Sequence, residues 1–233
     1  MRKNPSLEGV FLAVLAWCKN SELAAKIKLL LVLLTGKSIG FPFLFLSLRP
    51  EADRLLTKTN TIMNILILQG SPRAKGNTAW MAEEFKNAAE AAGHQVTLVN
   101  VAKKKIAGCI ACEYCHTKGN GACIQKDDMQ ELYPLMNEAE VIVLAAPIYY
   151  FTLCAQIQAP VQRMYCVNKP AKVKKMALLM SSYSPNVYDG ATAEFRDICN
   201  YWSVENMGTV TAKIDEQKTE ATKQKVQEMA GRL

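Results

Sequence analysis

The chain has 233 residues and a formal net charge of +7, with 50% of its residues apolar and 21% charged. That is the balance of an ordinary globular protein, and the length suits one domain, or one domain plus an extension. Residues 1–62 carry nine Lys and Arg against four acids, which leaves residues 63–233 at only +2; nothing there resembles the basic, aromatic-laced groove of a nucleic-acid binder.

In chain order, residues 1–62 come first and do not read like the rest. Apolar runs at 10–17, 29–34 and 41–48 are interrupted by Lys19, Lys26, Lys28, Lys37 and Pro42. None reaches the roughly 18–20 apolar residues needed to span a bilayer. Arg2, Lys3 and the first run mimic a secretory signal, but Cys18-Lys19-Asn20 is a poor cleavage site. Three readings stay open for this N-terminal extension: a membrane-surface anchor, an added structural element, or upstream sequence joined by a wrong start codon. The third is favoured, because Met63 opens what reads as the first strand of a domain.

From Met63 onward strands and helices alternate. Residues 65–68 form a short, wholly apolar run, the pattern of a strand buried on both faces of a parallel sheet. A helix is predicted over 78–92, capped by Asn77 or Thr78 and ended by Gly93. Further strands are predicted over 95–101, 141–145, 175–181 and 207–212. Helices are predicted over 127–139, 155–166, 191–201 and 220–231, with Pro134 and Pro160 expected to kink theirs. Five such alternations predict an open parallel sheet with helices on both sides.

Between the first strand and helix lies Gly70-Ser71-Pro72-Arg73-Ala74-Lys75-Gly76-Asn77-Thr78. Unpaired N–H groups and the dipole of the following helix favour an anion here. Ser71, Asn77 and Thr78 add short donors, Arg73 adds a planar cation, and Gly70 and Gly76 permit tight turns. The loop is neither a Walker A nor a G-x-G-x-x-G motif. In an open α/β sheet such a loop lies at the ligand-binding edge. After the third predicted strand, Pro147-Ile148-Tyr149-Tyr150-Phe151 lies on that same edge, where the three aromatic rings can stack on a flat ligand. After the fourth, Ser182 lies in a Ser-Tyr-Ser-Pro stretch that is either a third contact or an ordinary turn.

Of the eight cysteines, Cys109, Cys112, Cys115 and Cys123 form one compact set. Such clustering differs from a spread disulfide framework and points to a reducing, cytoplasmic compartment with one local thiolate site. Three-residue spacing can wrap one corner of a cubane, and Gly119 and Gly121 let the fourth thiol fold back. The spacing is that of ferredoxin-type ligation without its Cys-Pro ending. A [4Fe–4S] cluster, zinc and free redox-active thiols all remain open. His116 competes as a zinc ligand, though awkwardly beside Cys115. Lys103, Lys104 and Lys105 just before the set are either a solvated charge run or a guide for an acidic redox partner.

Gly-Ser-Pro-Arg-x-x-Gly-Asn-Thr after an N-terminal strand, followed by Pro-Ile-Tyr-Tyr-Phe, resembles the NAD(P)H-dependent FMN reductase group of flavodoxin-like proteins. The cysteine spacing resembles that of its iron–sulfur flavoproteins. The resemblance covers about residues 63–213. It implies a flavodoxin-like three-layer sandwich with a five-stranded parallel sheet in the order 2-1-3-4-5. It further implies FMN held at its phosphate by Ser71, Arg73, Gly76, Asn77 and Thr78. Its ring would lie against Pro147, Ile148, Tyr149, Tyr150, Phe151 and Ser182. NAD(P)H is the implied electron donor and a homo-oligomer is expected. The helix after the second loop departs from the pattern, since of Lys and Asp-Arg only Arg163 remains and Pro160 intrudes. The leading expectation is an FMN-dependent oxidoreductase that passes electrons to a redox partner or small-molecule acceptor. The others are an electron carrier without its own substrate and a binding module without flavin. No acid–base residue is singled out as catalytic.

Overall fold

The computed structural model describes residues 61–233. The three readings of the N-terminal extension fall, apart from Thr61 and Ile62, outside the described residues.

The elements follow the predicted alternation. They are β1 (Asn64–Gln69), α1 (Asn77–Ala91), β2 (Gln95–Asn100), α2 (Met129–Glu138), β3 (Val141–Tyr149), β4 (Thr152–Leu153), α3 (Ala155–Arg163), β5 (Lys175–Ser181), α4 (Asp189–Trp202), β6 (Glu205–Ala212) and α5 (Glu220–Ala230). The parallel strands stand in the order β2-β1-β3-β5-β6, while β4 pairs antiparallel with β3 alone. The expected five-strand order therefore recurs with one short strand added. Two residues carry no periodicity, so β4 left no pattern to read.

Side-chain alternation explains the layers. In β1, Ile65 and Ile67 pack with Met81 and Phe85 of α1 and with Val226 and Met229 of α5. Leu66 and Leu68 point the other way, toward Leu132 and Met136 of α2, Ile157 of α3 and Phe195 of α4. A strand buried on both faces gains roughly 1.5–3 kcal/mol for each large apolar side chain, which is why the run needs no polar alternation. The edge strand β2 is only half-buried and does alternate.

Two local expectations change in detail. Neither Asn77 nor Thr78 caps α1: its N-cap is Gly76, in extended geometry, with no side-chain cap. Gly93 does end α1, at a φ of +92° that favours glycine. Pro134 and Pro160 both lie within continuous helices. α3 nonetheless stops at Arg163 and passes into a 3-10 turn, Met164–Val167, so the predicted 155–166 helix is two kinds of helix in series. Gly208, at φ +96°, sits where the β5–β6 register slips by a residue. Among the described residues no helix is long and apolar enough to cross a membrane.

Candidate functional site

All parallel strands end on one edge, and the loops leaving β1, β3, β5 and β6 meet there. β1 lies between β2 and β3, so successive connections diverge at this point and leave a crevice.

The 70–76 loop is shaped by close packing. The Gly70 N–H donates to the Ala145 carbonyl at 2.8 Å, which holds the loop against β3. A Cβ on Gly70 would lie 2.6 Å from both Cys154 Sγ and Ile157 Cγ1, so only glycine lets α3 approach this closely. The buried Ser71 hydroxyl accepts from the Arg73 N–H at 3.2 Å, and the Gly76 N–H donates to the Arg73 carbonyl at 2.9 Å. Together these bonds curl the loop round the start of α1. No side chain caps that helix and no acid lies in its first turn. The result is an N-terminus with unmet donors and a positive dipole end, the chemistry of an anion site.

The residues expected to hold a phosphate converge here, but by different atoms. Arg73 is exposed. Thr78 is buried and its hydroxyl lies 2.6 Å from that of Ser181, so the hydroxyl is engaged within the fold. The Asn77 carboxamide donates to Gln217 from the loop after β6, a residue that no sequence motif flagged. Beneath the loop, Gln69 is buried; its Nε2 donates to the Ser71 carbonyl at 2.9 Å, while its Oε1 has no partner.

The second loop is a β-hairpin. Pro147 and the buried Ile148 complete β3, and Tyr149 pairs with Thr152. Tyr150 and Phe151 form the two-residue turn, with φ of 47° and 68°. Two positive φ values across an antiparallel pair define a type I′ turn. That turn normally takes Asn or Gly, and each bulky residue in it costs on the order of 1–3 kcal/mol. The strain puts an aromatic pair at the sheet edge, where Tyr150 is 95% exposed. The turn is braced by α4, since a Cβ on Gly190 would lie 2.6 Å from the Phe151 carbonyl oxygen. Ser182 turns inward instead: its hydroxyl donates to the Ser184 carbonyl at 2.6 Å and lies 2.6 Å from the Tyr188 hydroxyl. These contacts shape its own loop.

A second constellation lies at the far end of α3. Cys109, Cys112, Cys115 and Cys123 line one pocket, together with Cys166 and Arg163. The loop that carries them bends through positive φ at Ala111, Glu113 and Asn120. The Gly121 N–H donates to the Cys115 carbonyl at 2.8 Å and so folds the Cys123 segment back, as the glycines led one to expect. His116 turns away; its Nε2 meets the Tyr165 carbonyl at 3.0 Å and its ring packs edge-on against Tyr165. Among the described residues no three His, Cys, Asp or Glu side chains converge as ligands of a single ion. Burial pushes the Cys115 thiol up. Burial also opposes ionisation of Cys123, but the Gln125 N–H and the Arg163 guanidinium outweigh it and bring that thiol below its ordinary value. Lys104 is tied to Glu131, while Lys103 and Lys105 are exposed.

Arg163 is the residue that sequence reasoning undervalued. It is 1% exposed; its Nη1 donates to Asp127 Oδ2 at 2.7 Å and to the Ala107 carbonyl at 3.1 Å, and its Nη2 donates to the Gln125 carbonyl at 3.4 Å. The sequence marked it only as the remnant of a motif. The nine-residue α3 thus starts at the hairpin and ends under the thiols, a length of about 14 Å.

The family model described as NADPH-dependent FMN reductase matches residues 63–219. An iron-sulfur flavoprotein of Archaeoglobus fulgidus is 37% identical over 102 residues, 44% of this chain and 46% of the relative. One of Methanocaldococcus jannaschii is 34% identical over 101 residues, 43% of this chain and 51% of the relative. In these alignments the chain spans about half the length of the curated relatives it matches. Among solved structures, an NAD(P)H:quinone oxidoreductase from Methanothermobacter marburgensis superposes with a TM-score of 0.56 at 13% identity, covering 74% of this chain and 94% of the other. An FMN-dependent NADH-azoreductase from Bacillus anthracis, in complex with FMN, gives 0.56 at 12% identity over 73% and 99%. At such identity these two speak for the fold alone. The family match spans most of the chain and takes in both loops of the crevice and the cysteine loop, and on it the chain belongs to the NADPH-dependent FMN reductase family.

Proposed function

We propose that this protein is an FMN-dependent oxidoreductase that takes electrons from NAD(P)H. The observation that carries the reading is the pairing of an uncapped α1 N-terminus with a strained aromatic hairpin on one crevice. An anion at the first and a flat ring at the second are the two ends of a flavin mononucleotide. The donor set fits: backbone N–H groups at Gly76, Asn77 and Thr78, the Ser71 turn, and Arg73 and Asn77 side chains would take the phosphate. Beneath the same loop the buried Gln69 keeps an unpartnered acceptor, Oε1. Pro147, Ile148, Tyr149, Tyr150 and Phe151 would flank the ring, with Ser182 holding the neighbouring loop. Bound FMN supplies hydride acceptance and one-electron transfer, while the protein orients it and excludes water from one face.

The four thiols that share a pocket support a [4Fe–4S] cluster held by Cys109, Cys112, Cys115 and Cys123. A cubane spreads its ligand sulfurs wider than a single ion does, so the donor set suits it better than zinc. A cluster one short helix away from the flavin favours a second reading, an electron carrier without its own small-molecule substrate. With either reading go a reducing, cytoplasmic compartment, a homo-oligomer and a redox partner or small-molecule acceptor. The test is a visible spectrum of the anaerobically purified full chain. Flavin bands are expected, with broad iron–sulfur absorption beneath them. Colourless protein that takes up no added FMN overturns the flavin reading; flavin bands alone, with no iron after anaerobic reconstitution, overturn the cluster.

A further inference from the structure

After β6 the chain turns back across the sheet edge instead of leaving it. Gln217, half-buried in the 213–219 segment, joins three loops through one carboxamide. Its Nε2 donates to the Ser182 carbonyl, beyond β5, at 2.6 Å and reaches the Ala212 carbonyl, at the end of β6, at 3.4 Å. Its Oε1 accepts from Asn77 Nδ2 at the first position of α1. The segment is held there independently of Gln217. Lys218 Nζ donates to the Lys75 carbonyl at 3.0 Å, and the Thr219 and Thr222 hydroxyls donate to the Glu216 carbonyl at 2.8 and 2.7 Å. Lys218 sits at φ 58°, a left-handed conformation that the surrounding bonds must enforce.

These bonds dictate which way two amides face. Carbonyl oxygens only accept, so Gln217 must turn its amino group to Ser182 and Ala212. Its oxygen is then left toward Asn77, and an oxygen there selects the amino end of the Asn77 carboxamide. That amino group has two hydrogens, of which Gln217 uses one. The second is a donor whose orientation is set before any ligand arrives, beside an uncapped helix end. Ordering it in advance removes an entropic cost from binding.

We propose that Gln217 is a positioning residue for the flavin phosphate, acting through Asn77 to make the crevice prefer FMN over riboflavin. This rests on the FMN reading above. Gln217 is given no contact with the ring, and its effect is confined to the phosphate end.

The test measures dissociation constants of the full chain for FMN and for riboflavin by quenching of flavin fluorescence. Gln217→Ala should weaken FMN about tenfold, the worth of one charge-assisted hydrogen bond, and leave riboflavin nearly unchanged. Gln217→Glu should do more, because a carboxylate cannot donate to the two carbonyls and puts a negative charge beside the phosphate. Asn77→Ala should lower the FMN-to-riboflavin ratio at least as far as Gln217→Ala does, and adding Gln217→Ala to it should change that ratio no further. Should the alanine variant be insoluble, Gln217→Met keeps the stem and reads the same ratio. Equal weakening of both flavins, or a ratio that falls additively in the double variant, overturns the role of Gln217 while FMN binding stands. A parent chain that binds both flavins alike overturns this inference while flavin binding stands, and one that binds neither overturns the flavin reading beneath it as well.

Discussion

Arg163 and Asp127 meet at 2.7 Å, Nη1 to Oδ2, and the arginine is 1% exposed. The pair joins the last residue of α3 to the segment just after Cys123. The same guanidinium takes the carbonyls of Ala107 and Gln125, on either side of the cysteine set. One side chain therefore closes the loop that carries all four candidate ligands.

Replacing Arg163 by Met should destabilise the protein by about 3 kcal/mol. Removing one partner of a buried pair costs about 3–5 kcal/mol, and Asp127, whose side chain is 18% exposed, can recover some hydration. Arg163→Lys should fall between, since it keeps the charge but not the fork that serves three acceptors. Urea unfolding of the three proteins measures this, and a Met variant as stable as the parent would contradict it.

The pair should also mark the acid limb of stability. Burial opposes ionisation of Asp127, but its bond to Arg163 and the Ala107 and Met129 N–H groups prevail and lower its pKa. A carboxyl whose folded pKa is lowered adds stability above its unfolded value, about 3.9. That stability is lost as pH falls through the lower folded value. The parent should therefore lose more stability than Asp127→Asn between about pH 5 and pH 2. Unfolding midpoints across that range give the comparison; parallel curves would rule the pair out as a contributor.

Residues 63–233 should fold and take up FMN without residues 1–62. Among the described residues, both hydrophobic clusters and both loops of the crevice are built from residues after 62. Flavin content of the expressed 63–233 segment decides it. A soluble product that stays flavin-free while the full chain binds FMN would mean that the extension completes the site.

For the thiols, anaerobic protein should carry about four irons and four sulfides per chain. Serine at any one of Cys109, Cys112, Cys115 or Cys123 should release most of that iron and leave FMN bound, because the flavin crevice is built by other loops. Cys166→Ser should retain the iron, since Cys166 lies outside the compact motif even though it shares the pocket. Metal and sulfide analysis alongside flavin content reads all five variants. Zinc without sulfide would point to a structural ion instead.

The order and type of the main elements were legible in the residues, because strand burial and helix amphipathicity are local periodic properties. Ile65–Leu68 had to be buried on both faces whatever its neighbours were. The anion loop was legible for a similar reason: Gly70, Ser71, Gly76 and the helix start act within nine residues of one another. The cysteine spacing spoke equally locally, and the return of Cys123 followed from Gly121. Other features had no such signal. The type I′ turn was hidden because Tyr150 and Phe151 are not residues that adopt positive φ unaided; β4 and the packing of Gly190 hold them there. Thr78 was expected to offer its hydroxyl to a ligand, and instead spends it on Ser181, 103 positions away. Gln217 reaches Asn77 across 140 positions, and Arg163 reaches Asp127 across 36. Periodicity and spacing record what a residue does with its near neighbours in the chain, whereas a hydrogen bond between distant loops exists only once the sheet has brought their strand ends to one edge.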